Sequence, residues 1–314
     1  MAEYRLVSGK SRALGVSSGL KCWSEPGLYT LNVLHGCPFE CAYCKYRAVS
    51  HLRDEYYEIY QNLHSQLLDE IILLRKRNHP IRAVLMNSDT DAFCGDRRVE
   101  MVATRCLEVL AYHGVAVVVQ TRGIIPESCL DILQSMGDSA KVVFNVPSVS
   151  REYTDAFEPR VPSLSGRRAM LYALQQRTIP VRGRIDPLVP METDDDESVR
   201  SVLLEFARAG VTSVAVSYLT WSSEVSRRVA QRIDEQRWAL LNQWFKNHEG
   251  VRRPLTAREY RLTKYRRLVA LGKELGLSIS VCACRNPDLS RTACMGELPE
   301  LRSPTRKGNE LPIH

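Results

Sequence analysis

Gly27-Leu28-Tyr29-Thr30-Leu31-Asn32-Val33-Leu34-His35-Gly36-Cys37-Pro38-Phe39-Glu40-Cys41-Ala42-Tyr43-Cys44 opens on an apolar, β-branched run and closes on three cysteines. Residues 28–34 read as a short strand that feeds straight into the cysteine loop. Three thiolates this close can hold three corners of a four-iron cubane. Such a cluster ordinarily takes four cysteines, so one iron is left open to another ligand. A structural zinc ion is the rival reading, with His35 as a nearby fourth ligand. A redox pair is a second rival. A disulfide fits poorly: the N-terminal residues show no secretory signal, so the thiols are expected in a reducing, cytoplasmic setting.

Outward from this stretch, the 314-residue chain is 44% hydrophobic and 25% charged. That is the composition of an ordinary globular protein, long enough for one large α/β domain or two smaller ones. No apolar run reaches the ~20 residues a membrane helix needs, so no membrane partner is expected. The ten cysteines are too few for a disulfide scaffold of this length and too clustered to be scattered at random. Cys106 and Cys129 sit at helical spacing among apolar residues and are expected in the core.

Short β-branched runs at residues 28–34, 81–86, 115–121, 141–146, 179–185 and 211–217 alternate with amphipathic segments at 56–77, 99–113, 126–136, 163–177, 198–209 and 224–245. Strands alternating with helices imply a parallel sheet of βα units. Six units predict an α/β fold, a partial (β/α)6 TIM-like barrel, with a doubly wound open sheet as the alternative. The expected division is an N-terminal extension (1–27), the barrel (28–280) and a short C-terminal cysteine-containing tail (281–314). In such folds active residues gather beyond the carboxyl ends of the strands. The expected tips carry Thr90 and Asp91, Arg122, Asn145 and Ser148, Arg184 and Asp186, and Tyr218. Asp, Asn and Ser at such places also cap helices and make turns, but the set as a whole reads as a ring around one pocket.

The spacing of Cys37, Cys41 and Cys44, with the aromatic Tyr43 before the last, resembles the cluster signature of the radical S-adenosylmethionine (SAM) superfamily. A narrower resemblance is to its spore photoproduct lyase-like, or DNA repair photolyase, branch. It rests on Thr90-Asp91-Ala92-Phe93 with Glu100, on Thr121-Arg122, on Glu158-Pro159-Arg160-Val161-Pro162-Ser163 with Arg167, and on Arg184-Ile185-Asp186-Pro187-Leu188-Val189-Pro190. The branch usually has Lys where Arg122 stands and an aromatic–Gln–Pro segment where Phe93-Cys94-Gly95 stands. The resemblance implies that Cys37, Cys41 and Cys44 ligate a [4Fe–4S] cluster whose open iron is chelated by SAM. One electron, from a carrier such as flavodoxin or ferredoxin, then yields a 5′-deoxyadenosyl radical that takes hydrogen from the substrate. It further implies Tyr43 beside the adenine, Thr90 and Asp91 near the amino group, and Arg122 on the carboxylate, for which a guanidinium is apt. Asn145 or Ser148 would hold the ribose, with Arg184 or Asp186 as further SAM contacts. Cys94 is the candidate hydrogen donor and Tyr218 a second catalytic candidate.

Near the far end, Cys282, Cys284 and Cys294 form another incomplete set of three. They are a candidate second iron–sulfur cluster or zinc site, with Cys22, a His or substrate as the fourth ligand. The charge is also uneven. Residues 227–273 hold thirteen Arg and Lys against four Asp and Glu, whereas the whole chain is +7. Two helices are expected to carry this charge, 224–245 and one opening on the capping box Thr256-Ala257-Arg258-Glu259. The basic region suits nucleic acid or a nucleotide, or is simply a solvated helix face. The leading function is a radical SAM enzyme, of lyase or C–C bond-forming or -cleaving class, acting on a DNA lesion or a biosynthetic nucleoside. The alternatives are radical modification of an amino acid or peptide, and a non-catalytic zinc or Fe–S module that binds nucleic acid.

Overall fold

The computed structural model describes residues 3–16, 20–47, 56–246, 255–286, 288–289 and 295. Its centre is a seven-stranded sheet made of β1 (Leu28–Leu31), β2 (Ala83–Met86), β3 (Ala116–Thr121), β4 (Ala140–Asn145), β5 (Val181–Leu188), β6 (Ser213–Tyr218) and β7 (Ser278–Val281). The strands lie side by side in chain order. Every neighbouring pair is parallel. Between successive strands run α1 (Leu63–Lys76), α2 (Arg97–Tyr112), α3 (Glu127–Met136), α4 (Leu164–Gln176), α5 (Asp196–Arg208) and α6 (Arg258–Glu274). The sheet is open, with β1 and β7 at its edges. This is the α/β partial barrel that the sequence predicts, extended by one strand.

The two faces of the sheet follow the period-2 rule. Val84, Met86, Val117, Val119, Val142, Phe144, Val214 and Val216 point outward into the helix layer. Ala83, Leu85, Ala116, Val118, Val143 and Ala215 point inward. The small inward residues leave room for Trp23, which enters the barrel from before β1 together with Met295 and Cys282. Trp23 is fully buried, and its indole N–H donates to the Tyr29 carbonyl at 2.8 Å.

Several expected elements differ. Residues 32–34 leave the sheet, because Leu34–His35 pairs antiparallel with Tyr56–Tyr60, which in turn pairs parallel with Glu3–Val7. The start of the expected helix at 56–77 is therefore a strand. The expected helix 224–245 is two, Ser223–Ala230 and Glu235–Gln243. The break falls at Asp234, whose carboxylate accepts the Arg237 N–H at 2.8 Å and caps the second helix. The capping box at Thr256 does not form. Leu255–Thr256 pairs with Phe245–Lys246 instead, and α6 starts from Ala257 with no side-chain cap. Ser278–Val281, just before Cys282, is a strand of the same sheet, so Cys282 and Cys284 follow a barrel strand. Gly272 makes this possible: a Cβ there would stand 2.3 Å from Ile279 Cγ1 as the chain folds back along α6. Among the described residues, no helix is long and apolar enough to cross a membrane.

Trp23→Ala should lower unfolding free energy by about 3–5 kcal/mol, through lost burial and a residual cavity. Chemical denaturation followed by circular dichroism checks this. A loss below ~1 kcal/mol would mean that the barrel interior does not depend on this plug.

Candidate active site

A cavity of about 510 Å³ opens at the carboxyl ends of the strands. Its first wall is the cysteine loop after β1. Phe39 anchors the loop, 2% exposed and packed with Tyr153, Phe157 and Val161. The Ala42 N–H donates to the Phe157 carbonyl at 2.9 Å, and the Cys44 N–H to the Cys41 carbonyl at 3.1 Å. This tight turn sets Cys37, Cys41 and Cys44 all on the cavity.

The second wall joins the tips of β2 and β3 through Asp91. Its carboxylate accepts the Thr121 hydroxyl at 2.8 Å, the Arg122 N–H at 2.9 Å and the Phe93 N–H at 3.1 Å. Burial pushes the Asp91 carboxyl up, and these hydrogen bonds oppose it. The strap that follows passes so close to Phe93 that a Cβ on Gly123 would lie 1.9 Å from the Phe93 carbonyl oxygen, so only glycine fits there.

Behind this wall lies Glu158, fully buried. One carboxylate oxygen accepts Arg122 Nη1 at 2.6 Å and the other accepts Arg167 Nη1 at 2.9 Å. The Tyr43 hydroxyl also donates to Glu158. Arg122 Nη1 in addition reaches the Tyr43 oxygen and lies 3.6 Å from Cys41 Sγ. Burial opposes ionisation of Glu158, but the Arg167 and Arg122 guanidiniums outweigh it and hold the carboxyl below the usual glutamate range.

The far wall comes from β5 and the segments after β6 and β7. Arg184 Nε donates to Asp186 at 3.1 Å and Arg184 Nη1 to Gln120 at 3.2 Å. Although burial opposes it, the Arg184 and Arg285 guanidiniums hold the Asp186 carboxyl low. Arg285 Nη1 donates to the Thr220 hydroxyl at 3.1 Å.

Of the residues expected from sequence, the structure brings Tyr43, Thr90, Asp91, Arg122, Arg184 and Asp186 to the cavity beside the three cysteines. Asn145 lines it too, but its amide is engaged with the Asp186 backbone, donating to the carbonyl at 2.7 Å and accepting the N–H at 3.1 Å. Ser148 is not on the lining; it accepts the Ser150 N–H at 3.1 Å as a turn residue. Tyr218 faces away from the cavity. Its hydroxyl donates to Asp194 at 2.8 Å, and its own N–H donates to the Tyr265 oxygen at 3.1 Å. Cys94 lines a second cavity of about 400 Å³ with Phe93, Glu100 and Arg160, and burial pushes its thiol up to about 11.

At the far end, Cys282 packs inside the barrel. Cys284 lines the large cavity, with its Sγ 3.2 Å from that of Cys22. Cys294 lies outside the described residues. His35 is turned to Glu58 at 3.3 Å, not to the cysteines. Sequence reasoning assigned no role to Glu158 or Arg285. The motif running from Glu158 to Ser163 with Arg167 marked the residue by resemblance, but its bonds to Arg122 and Tyr43 come from distant segments. The strand-tip rule would have found Arg285 had β7 been recognised.

A cluster and SAM fit these residues. Among the described residues no three His, Cys, Asp or Glu side chains converge as they would on a single metal ion. A cubane instead takes its cysteines at separate iron corners. Burial pushes the Cys41 thiol up to about 12 and raises Cys37 as well. Thr90 Oγ1 and Asn87 Nδ2 are buried without a partner in this structure, and both residues line the cavity. Buried polar atoms of this kind are ordinarily hydrogen-bonded, here by whatever fills the cavity.

The family model for the radical SAM superfamily matches residues 31–203, more than half of the chain, and the chain belongs to that superfamily. The family implies a [4Fe–4S] cluster and SAM. A variant of spore photoproduct lyase shares the fold over 88% of this chain and 82% of its own, with a TM-score of 0.70 at 15% identity. Spore photoproduct lyase complexed with dinucleoside spore photoproduct covers the same shares, with a TM-score of 0.68 at 14% identity. Streptococcus suis SuiB bound to S-adenosylmethionine aligns over 84% of this chain and 53% of its own, with a TM-score of 0.51 at 11% identity. At these identities the likeness is one of fold. No curated protein sequence matches the chain.

Glu158→Gln should destabilise the protein by about 3 kcal/mol or more, because it leaves two buried guanidiniums short of a counter-charge. The carboxyl is lowered in the folded state. Its contribution is therefore full above the unfolded value of ~4.3 and is lost as pH falls through the folded value. Unfolding free energies measured from neutral pH down to acid should show a shallower acid-side decline in the variant. Parallel curves would refute the assignment.

Proposed function

We propose that the chain is a radical SAM enzyme of the reducing cytoplasm acting on a nucleotide-based substrate, either a DNA base lesion or a biosynthetic nucleoside. When bound, the cluster and SAM supply a carbon-centred radical able to take a hydrogen atom from the substrate. The chain's own part is to hold and orient. Cys37, Cys41 and Cys44 are the iron ligands. Arg122, fixed by Glu158 beside Cys41, offers a cation to the SAM carboxylate. Thr90 and Asn87 offer hydrogen bonds at the same wall.

The observation that carries the substrate class is the charge of the lining. Lys21, Lys45, Arg122, Arg184 and Arg285 face Asp89, Asp91 and Asp186. Asp186 is answered by Arg184, and Arg122 by Glu158, so Lys21, Lys45 and Arg285 stand against Asp89 and Asp91. The surplus of cations suits a phosphate, which favours the DNA lesion over an uncharged nucleoside. The structural relative complexed with a dinucleoside photoproduct agrees with this reading.

Anaerobically reconstituted protein should be brown and convert SAM to 5′-deoxyadenosine under a strong reductant. Colourless, zinc-loaded protein without turnover would sink the enzyme reading. Calorimetry should show a dinucleoside monophosphate binding the holoenzyme, and Arg285→Ala should weaken it about tenfold, the worth of one charge-assisted hydrogen bond. Preference for an uncharged peptide, with no effect of Arg285→Ala, would favour amino-acid or peptide modification instead.

A further inference from the structure

Cys22 and Cys284 are 262 positions apart in the chain, yet their sulfurs stand 3.2 Å from one another. The Cys22 N–H also donates to Cys284 Sγ, at 3.4 Å. Neither residue belongs to the cysteine loop after β1. Each is held by a buried neighbour. Cys22 lies in one helical turn, Lys21–Trp23, whose last residue is the plug of the barrel interior. Cys284 lies between Cys282 and Asn286, both buried. The Cys282 N–H donates to the Val216 carbonyl at 2.9 Å, and the Asn286 N–H to the Cys282 carbonyl at 3.0 Å.

Two side chains anchored in this way stay within reach of each other. A separation of about 3–3.5 Å is that of reacting atoms poised for attack. The thiolate is the attacking form of a cysteine, and a backbone donor is already aimed at the Cys284 sulfur. Both cysteines are only half-buried, so a small thiol reagent can reach them. Cys106 and Cys129, by contrast, are closed off in the core.

The place of the pair in the fold gives it a consequence. Cys22 comes shortly before β1 and Cys284 shortly after β7, the two edge strands of the open sheet. No ladder joins β1 to β7. Leu20 and Lys21 on one side, and Cys284 and Arg285 on the other, line the large cavity. A bond between the two sulfurs would tie together the segments that flank both edges of the sheet, at the cavity wall. A cross-link closing so long a loop strongly limits how far its ends can part.

We propose that Cys22 and Cys284 are a redox modification site, a reversible disulfide that clasps the residues before β1 to those after β7 and keeps that wall of the cavity from opening. The oxidant is a small-molecule disulfide such as glutathione disulfide. One cysteine thiolate attacks it and one thiol of the reagent leaves. The second cysteine thiolate then attacks the mixed disulfide and displaces the other thiol. The Cys22–Cys284 bond forms and the reagent's S–S bond breaks. Two electrons pass to the reagent, and the two cysteine protons end on the two thiols released. Excess reduced thiol reverses the exchange, as befits a sensing disulfide in a reducing compartment. The site requires neither the cluster nor SAM, so it stands apart from the enzymatic reading.

The test equilibrates anaerobic holoenzyme with mixtures of reduced and oxidised glutathione, quenches it in acid, alkylates the remaining thiols and maps the peptides by mass spectrometry. A cross-linked pair of peptides carrying Cys22 and Cys284 should appear as the mixture becomes oxidising and vanish on return to excess thiol. Hydrogen exchange on the same samples should show the Cys282 and Asn286 amides exchanging at least about threefold more slowly in the oxidised protein. Cys22→Ser should remove both effects. A glutathione adduct that persists on either cysteine would overturn the proposal, and so would a disulfide from either one to a different cysteine. Equal exchange in the two redox states would overturn it as well, since the bond would then clasp nothing. A metal ion retained by the wild type and lost from Cys22→Ser would do the same, because the two thiols would then be its ligands.

Discussion

The carboxylate of Glu158, held out of water between Arg122 and Arg167, is the interaction on which the rest of the site depends. It joins the tip of β3, the start of α4 and, through the Tyr43 hydroxyl, the cysteine loop. Isolated, each of these three charges would be costly to bury. Together they are stable only in one geometry, so the loop that carries Cys37, Cys41 and Cys44 is fixed relative to the strand that carries Arg122. Asp91 performs the neighbouring task with neutral donors, fastening the tip of β2 to that of β3. The cavity wall is thus positioned by buried electrostatics behind it rather than by the side chains that face the ligand.

Charge is arranged along the cysteine loop. Arg122 stands beside Cys41, and Glu40 within the loop accepts bonds from Tyr57 and Arg160. Thiolates and iron–sulfur clusters carry negative charge, and nearby cations lower the work of adding an electron. The same side chains that hold the loop therefore bear on what the loop can do.

Much of this fold was legible in the sequence. Strands β2, β3, β4 and β6 are largely buried and read as short apolar runs, as parallel strands do. β7 was not legible as a barrel strand, because Ser278-Ile279-Ser280-Val281 is short and two of its four residues are polar. The rule that parallel sheets keep their chemistry at the carboxyl ends placed most of the site. It failed where side-chain parity mattered. The register slips between Ile185 and Leu188 against β6, and Tyr218 ends on the helix side. Cys94 is only three residues beyond Asp91, but the bond from the Phe93 N–H to Asp91 turns the chain away into the second cavity. Glu158 stood out in the sequence only as part of a motif; its role lies in partners, Arg122 and Tyr43, that tertiary structure supplies.

The seventh strand also has a consequence for the order in which the protein is made. The cysteine loop follows β1, near the start of the chain, whereas Cys284 and Arg285 follow β7, near its end. On the ribosome, the three cysteines of that loop emerge long before the wall opposite them. Until β7 joins the sheet, the cavity lacks the wall that carries Cys284 and Arg285, and the cysteine loop stands open on that side.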